Sequence, residues 1–558
     1  MKSTLRMGLV LVVVGTGASA CTSILGEFVF SGAGGSGGSG TGGGATTTGT
    51  ETTTGTSGTG GAAPVVCTGD PSAPVDGGAV QTGNIRDECA VFVRADASDA
   101  GTPDGTMENP YATLQAAISG AKGRSKVFAC KSAIFTEAVS LSAGLEVYGG
   151  FDCSAPQWTW SSTDQTALLG PADTVAFTIG TGADGALVSN FFITGSSPSK
   201  MTSGSSAIGV AVADVTATLE RSTVEAQDGA AGADGAQPSG TAAVGEDAPT
   251  VDPVTTSACI NTAAVGGGAA GTTMCGTTDT SGGDGGNGGI TGTMSGDGMP
   301  GGSGNPSTAS FGLGGAGQTD LVNPAQYCEN GTHGREGLQG TSGSPGTGAT
   351  LSVAGISGGN GGDGATGTPG QGGGGGGGSE AGTFCRAGAN IVSGPGASGG
   401  GGGAGGCPGQ GGGGGIAGGS SIAILALGVN LTLDGVTLKV GNGGNGGAGA
   451  NAHSGGDGGN GARGGASSSI APSEYGCDGG DGGQGGSGGP GGGGRGGFSA
   501  GIAFAKSPAS LPVVVLTATG TAGVGGMPGA SVGNTGNAGA NGAAGVTCDF
   551  STTPPTCK

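Results

Sequence analysis

Aromatic side chains are scarce in this chain: Phe, Tyr and Trp together make 4% of its 558 residues, with only two Trp. The 34% hydrophobic fraction is carried largely by Ala, so no large compact core of the ordinary globular kind is expected. Histidine is rarer still, with His333 and His453 alone, both in Gly-rich surroundings without a Cys or Asp at metal-ligand spacing. No C-x-x-C occurs, which removes zinc ribbons and thioredoxin-type redox sites. Bases are few: 17 Lys and Arg against 38 acids leave a net charge of −21, which disfavours nucleic acid, anionic lipid surfaces and acidic substrates alike. Proline, 25 in all, is too sparse for collagen, and the Gly residues come doubled or longer instead of at strict thirds. What the chain has is glycine, 144 residues of it, far above the 7% or so of ordinary domains. Ordering Gly costs more backbone entropy than ordering any other residue, so a helical or Rossmann-type globule is excluded over most of the length.

The N-terminus reads as an export signal. Lys2 and Arg6 precede the apolar run Met7–Val14, and Ala18-Ser19-Ala20 stands before Cys21. The apolar run is too short to span a bilayer. A-x-A suits ordinary signal peptidase, whereas a Cys following it resembles the lipobox of bacterial lipoproteins, with Ala18 where that motif usually has Leu. That resemblance implies cleavage after residue 20, lipidation of Cys21, and a place at the bacterial outer membrane or cell surface; plain secretion is the alternative. Removing Cys21 from the 13 Cys leaves an even twelve, as full disulfide pairing in an oxidising compartment requires. Residues 21–65 then form a linker: from Ser31 to Ala63 it holds Gly, Ser, Thr and Ala with one charge, Glu51, and reaches roughly 30 Å as Gly-rich coil.

Folded sequence begins near Val66 and runs to Gln227. Val91-Phe92-Val93, Lys126–Cys130, Ala138–Phe151 with a turn at Ala143-Gly144, Thr166–Leu169, Thr174–Ile179 and Ala186–Thr194 are short apolar runs bounded by Gly, Asp, Ser and Pro, as strands are. Asn109 as N-cap, Pro110 as first helical residue and Leu114, Ala117, Ile118 and Ala121 on one face predict a helix of about three turns. The strings DGTMENPYATLQAAISGA and VFACKSAIFTEAVSLSAGLEVYGGF resemble the opening of pectin-lyase-like proteins over about residues 85–227. That resemblance implies an all-β fold, a right-handed parallel β-helix whose exposed core end is covered by an N-terminal capping helix. Later stretches repeat one order of features: SSAIGVAVAD then TATLERSTVEAQ, SSIAILALGV then NLTLDGVTLKV, and SAGIAFA then LPVVVLTATG, each followed by a Gly-rich excursion. Each reads as one coil with a greatly expanded turn. The expected organisation is a module at 66–227, a Gly-rich insertion at 228–419, a coil at 420–440, an insertion at 441–497, a coil at 498–519 and a Gly-rich C-terminal segment at 520–558.

In the excursions Gly fills about two of every three positions, as in GGDGGNGGI from Gly282. Such a chain forms an extended threefold polyglycine helix whose neighbours exchange hydrogen bonds, or is simply disordered. In style it resembles PGRS-type Gly-rich surface proteins. Six cysteines inside these segments (Cys259, Cys275, Cys328, Cys385, Cys407, Cys477) favour order; Cys67, Cys89, Cys130 and Cys153 belong to the first module, and Cys548 and Cys557 close the chain. Each group is even, which implies pairing within groups.

Catalysis on a β-helix needs carboxylates and a base on one face of a coil. The candidates are Asp184, Asp214, Glu220, Arg221, Glu225 and Asp434; Glu220 and Arg221 are adjacent on a strand and are expected to face opposite sides. No catalytic or metal site and no cofactor is assigned. Asp284, Asp363, Asp457 and Asp481 lie in strings that resemble calcium-binding Gly/Asp nonapeptides, but Asn287, Asn460 and Gln484 stand where those need Asp, so the acids are expected to keep loops soluble. The expected protein is a noncatalytic lipoprotein, structural or adhesive, with a membrane and an extracellular polysaccharide as partners and no nucleic acid; a polysaccharide-binding or pectate-lyase-like enzyme is the alternative.

Overall fold

The computed structural model describes residues 67, 69–72, 85–97, 102–199, 204–250, 252–260, 265–292, 296–471 and 474–558, all within one unit that begins at Ala63. Cys21, the signal segment and the Gly/Thr-rich linker lie outside the described residues.

The chain is all-β. In order, the strands are β1 (Ala90–Val93), β2 (Lys126–Cys130), β3 (Phe135–Thr136), β4 (Val139–Leu141), β5 (Glu146–Asp152), β6 (Thr159–Trp160), β7 (Thr166–Leu169), β8 (Val175–Ile179), β9 (Ala186–Ser189), β10 (Phe191–Gly195), β11 (Ala207–Val212), β12 (Ala217–Glu220) and β13 (Thr223–Ala226). After a long excursion carrying three hairpins, β14 (Met274–Cys275) with β15 (Thr278–Asp279), β16 (Thr350–Ser352) with β17 (Gly355–Ser357) and β18 (Gly382–Ala387) with β19 (Asn390–Gly394), the series resumes. It continues with β20 (Ser421–Ala426), β21 (Leu431–Asp434), β22 (Thr437–Val440), β23 (Ser499–Phe504), β24 (Val515–Ala518), a fourth hairpin of β25 (Ala530–Ser531) and β26 (Asn534–Thr535), then β27 (Ala544–Asp549) and β28 (Thr556–Cys557).

Three mostly parallel sheets result: β1-β2-β5-β9-β12-β21, β3-β7-β10-β13-β22-β24, and β4-β8-β11-β20-β23-β27-β28. From β7 to β23, the hairpins aside, consecutive strands fall in the second, third and first sheets in rotation, so each circuit of chain lays one strand on all three; after β23 the chain passes to β24 in the second sheet without a strand in the first. Pairing is in register: Leu219 stands opposite Val188 and Leu433, and Val224 opposite Ile193 and Leu438. Inward positions of all three sheets make one continuous core, with Leu141, Val147, Phe177, Val188, Phe191, Ile193, Leu219, Val224, Ile424, Leu438 and Ile502 buried. In the third sheet β11, β20 and β23 are buried on both faces, because Ile208, Ile422, Leu425 and Ala503 form a second cluster under Leu351 and Ile356 of the β16–β17 hairpin. This explains why SIAILA reads as an unbroken apolar run, not as an alternating one.

Two local expectations change. The helix spans only Leu114–Ser119 and its N-cap is Thr113, not Asn109. Residues up to Tyr111 are committed to β1: Tyr111 N–H donates to Phe92 and its carbonyl accepts from Arg94, while Asn109 closes its own loop onto the Thr102 carbonyl. The helix is instead started by Thr113 and by Glu137, whose carboxylate accepts the N–H groups of Leu114 (2.7 Å) and Gln115 (3.0 Å), and it buries Leu114, Ala117 and Ile118. The run Ala186–Thr194 is two strands, because Asn190 takes φ +62° and turns the chain from the first sheet into the second. Arg221 (φ +45°) and Gly435 (φ +61°) turn the same corner in the next two circuits.

All twelve described cysteines pair within their groups: Cys67–Cys89, Cys130–Cys153, Cys259–Cys385, Cys275–Cys407, Cys328–Cys477 and Cys548–Cys557.

Candidate functional site

Every Gly-rich excursion leaves the second sheet (after β13, β22 and β24) and returns at the third (before β20, β23 and β27). The excursions therefore stack over one another as the circuits do, and sheet register carries on into them. Thr223 lies opposite Thr437, and beyond the strand ends Asp228 still meets Asn442, 214 residues later.

The excursions are ordered extended strands with a three-residue hydrogen-bond period. Gly361, Gly364, Gly367, Gly370, Gly373 and Gly376 donate in turn to Gly415, Gly412, Gly409, Gly406, Gly403 and Gly400, at 2.8–3.0 Å. That period is the phase of a polyproline-II helix, in which every third N–H points the same way. The run Gly372–Ser379 shows the full arrangement. Gly372, Gly375 and Gly378 donate to 299–305, Gly373 and Gly376 to 400–403, and Gly374 and Gly377 to 329–332, while its carbonyls accept from 283–289, 315–318 and 477–480. With a backbone on each side there is no room for a side chain: a Cβ on Gly374, Gly375 or Gly376 would run into the carbonyl oxygens of Leu313, Asp284 or Cys477. Glycine content thus tracks enclosure. All of 372–378 is Gly, strands at a face such as 282–289 are Gly-Gly-x, and the outer strand 331–346 has Gly only at every third position, with His333, Arg335, Glu336, Leu338 and Gln339 exposed beside it.

The x positions of Gly-Gly-x have a definite job. Asp363 Oδ1 accepts the N–H of Gly414 (2.7 Å), Asp284 that of Ala270 (2.9 Å), Asp481 that of Gly461 (2.9 Å) and Asn287 that of Gly267 (2.8 Å). Asn442, Asn445 and Asn451 do the same for Thr521, Val524 and Ala530, and Asp457 accepts from Gln484. These short side chains fill donors that would otherwise lack a strand, so the acids act as stitches between strands, a role beyond the solubility expected of them. Among the described residues no group of three or more His, Cys, Asp or Glu is placed to hold a metal ion. His333 belongs to the same scheme: its Nδ1 accepts from Asp481 N–H at 3.1 Å.

On the sheets the candidate charged residues are scattered and individually engaged. Asp184 accepts from Thr216 N–H, Asp214 pairs with Lys506 at 2.5 Å, and Glu225 lies 3.9 Å from Lys439. Glu220 and Arg221 do meet, at 2.9 Å, contrary to the expectation from strand alternation. Arg221 lies past the strand end, and its left-handed backbone swings the guanidinium back to Glu220, to Ser189 Oγ (3.1 Å), to Asn190 Oδ1 (3.2 Å) and over the Trp160 ring. Asp434 stands one circuit along from Glu220 and its carbonyl accepts from Arg221 N–H. The group serves to pin a corner.

One cluster goes unnoticed in the sequence. Lys126, fully buried on the outer side of the first sheet, pairs with Glu146 and donates to the Gly69 carbonyl at 2.8 Å, and Tyr148 Oη donates to Glu146 at 2.9 Å. Burial and the Glu146 carboxylate push the Tyr148 phenol far up. The cluster fastens the segment that Cys67–Cys89 also holds. A charge opening the apolar run KVFAC is the only trace it leaves in the sequence.

Two of the depressions among the described residues bear on binding. A groove of about 340 Å³ is bordered by Trp158, Trp160, Ile85, Met107 and Pro71. A larger one, about 830 Å³, runs between Gly-rich strands past Asp363, Thr366, Gln410, Gly411, Thr241 and His453. Among the described residues no helix is long and apolar enough to cross a membrane. No protein-family model matches the chain, and no similar curated protein or solved structure was found.

Proposed function

We propose that this protein is a noncatalytic, structural or adhesive lipoprotein of the bacterial outer membrane or cell surface. In this reading Cys21 carries the lipid, residues 21–65 form the tether, and the three sheets are a right-handed parallel β-helix of the pectin-lyase-like kind with Leu114–Ser119 as its cap. The observation that carries the reading is the ordered Gly-rich slab. A rigid stack of threefold strands offers side chains only on its outer faces, at fixed three-residue intervals, which suits display and contact, not turnover. The charged residues of the sheets support it further, since Glu220, Arg221, Glu225 and Asp214 are engaged locally in corners and cross-circuit pairs.

The test is metabolic labelling of the full-length protein with a fatty acid, with Cys21→Ser as the comparison. Label on the parent, its loss in the variant, and release of the variant into the medium are expected. An unlabelled parent protein would remove the anchor from the proposal.

Polysaccharide binding stands as a second reading on one observation, the groove that both tryptophans border, because indole faces stack on sugar rings. A glycan array probed with parent and Trp160→Ala proteins distinguishes it: saturable binding lost in the variant supports the reading, and no binding removes it.

A further inference from the structure

We propose that the 830 Å³ groove is an unfilled strand position of the Gly-rich slab, and that it takes an extended Gly-Gly-x strand of another polypeptide.

Hydrogen-bond phase is regular along residues 397–419 up to the groove. N–H groups three apart point one way: Ala404, Cys407, Gly413, Ile416 and Gly419 donate to Glu246, Ala243, Ala236, Ala233 and Ala230. Gln410 shares that phase but has no acceptor among the described residues, because its partner strand leaves the line at Gln237 and rejoins it at Ala243. The adjacent phase breaks at the same place. Gly399, Gly402 and Gly405 donate to Gly286, Gly283 and Thr280, after which that neighbour ends in the β14–β15 hairpin locked to Cys407 by Cys275. Position 408 is then Pro, which has no N–H to lose. Gly411 follows with neither its N–H nor its C=O bonded within the described chain, before Asp363 and Asn360 take up Gly414 and Ala417.

Two successive unfilled backbone donors thus face a groove whose floor, Gly411–Gly413 and Gly364, is bare of side chains. Along 399–419 the other donors of these two phases, Gly401 aside, are met by a neighbouring strand or by a short acceptor side chain. The groove lining has no Trp, Tyr or Phe ring on which a sugar could stack. A polypeptide strand fits: Gly is needed where it faces the floor and the 363–366 wall, while any residue suits the outward position. Some six residues of such a strand, about 19 Å, would span 408–413.

The probe is a labelled (Gly-Gly-Pro)5 peptide, in which Pro at the outward position presets the extended threefold shape and lowers the ordering cost. Its comparison, (Ala-Ala-Pro)5, adds a Cβ at both facing positions. Binding to the full-length protein is followed by fluorescence anisotropy, and the exchange of the Gln410 and Gly411 amides by NMR. Saturable binding of the Gly peptide is expected, at least tenfold tighter than the Ala peptide, with both amides slowed. Thr241→Trp and Thr366→Trp, which place bulk over the groove from exposed rim positions, are expected to weaken binding tenfold or more. Equal affinity for the two peptides, no saturable binding, or unaltered exchange at Gln410 and Gly411 would each overturn the proposal. Because the peptide pair probes one unaltered protein, the outcome does not hinge on any variant folding.

Discussion

Gly375→Ala is the sharpest perturbation of the Gly-rich slab. The new methyl group would be driven against the Asp284 carbonyl oxygen. Relief requires 372–379 to move away from 283–289, but the run is held on its other sides too, by Gly375 N–H to Gly302 (2.9 Å) and by Gly315 N–H to the Gly375 carbonyl (2.8 Å). Overpacking costs about 1–3 kcal/mol, and each buried backbone group left without a partner about another 1–3 kcal/mol. A local loss of about 3–6 kcal/mol follows, with neighbouring terms not strictly additive. At 1.4 kcal/mol per decade, amide exchange across 372–379 should accelerate by roughly a hundredfold to ten-thousandfold. Gly348→Ala is the matched comparison: nothing lies within 4 Å of its added Cβ, so the change should stabilise by about 0.4–1 kcal/mol through the unfolded chain. Native-state hydrogen exchange on both variants is the assay. If the parent amides of 372–379 exchange at unprotected rates, or the two variants are indistinguishable, the slab is not a bonded lattice and the reasoning fails.

Opening the Cys275–Cys407 cross-link with a double Ser substitution frees a link spanning 132 residues, for which the chain-entropy model gives about 5 kcal/mol; the slab should lose exchange protection while Phe128, Phe177 and their sheets keep theirs. At Asp363, Asn keeps an acceptor for Gly414 whereas Ala does not, so thermal melts should place D363N near the parent and D363A about 0.5–1.5 kcal/mol below it. Ser507 and then Ser551 hold Asp549 below the ordinary carboxylate range. Its stabilisation is therefore present at neutral pH and lost as pH falls through that lowered value, so S507A should be less stable than the parent at neutral pH, with the difference closing in an acid titration. Burial pushes Arg495 down to about 10, and its Nε and Nη1 have no partner, against a Phe498 ring 4.5 Å away. Two unmet donors at about 1–3 kcal/mol each outweigh a ring contact of about 0.5–2 kcal/mol, so Arg495→Met should raise the melting temperature, and a fall would refute that balance.

The strands were legible wherever one face is buried and the turn residues are ordinary. Thr166–Leu169 and Lys126–Cys130 fall where their apolar pattern and flanking breakers put them. The corners were not, because Asn190 and Arg221 carry no pattern that marks a left-handed residue inside an apolar run; only the stacking of circuits makes them turn together. The even cysteine groups were readable, but their partners were not, since Cys328 and Cys477 are 149 residues apart and meet only because 331–346 runs beside 478–493. Of the charged candidates, sequence supplied the names and none of the geometry. Glu220 and Arg221 were judged by strand alternation, and a single backbone angle reversed the answer.

The same Gly arithmetic explains why the slab ends. A sheet edge leaves a row of unpaired donors and acceptors that invites more strands, and proteins blunt such edges with charge, Pro or bulk. A threefold lattice has the same exposure in more directions, since every strand bonds on several sides. In 331–346 two residues of each three carry side chains, among them Arg335, Glu336 and Gln339, so no further backbone can close on those sides. Elsewhere, where Gly-Gly-x leaves one side open, the x residue is often Asp or Asn, whose carbonyl-type oxygen accepts the donor a new strand would have used. Growth is thus stopped by steric cover on the outermost strand and by satisfied donors on the faces. At Gln410 and Gly411, beside the groove, neither device is present, and it is there that an added strand would gain hydrogen bonds without displacing any.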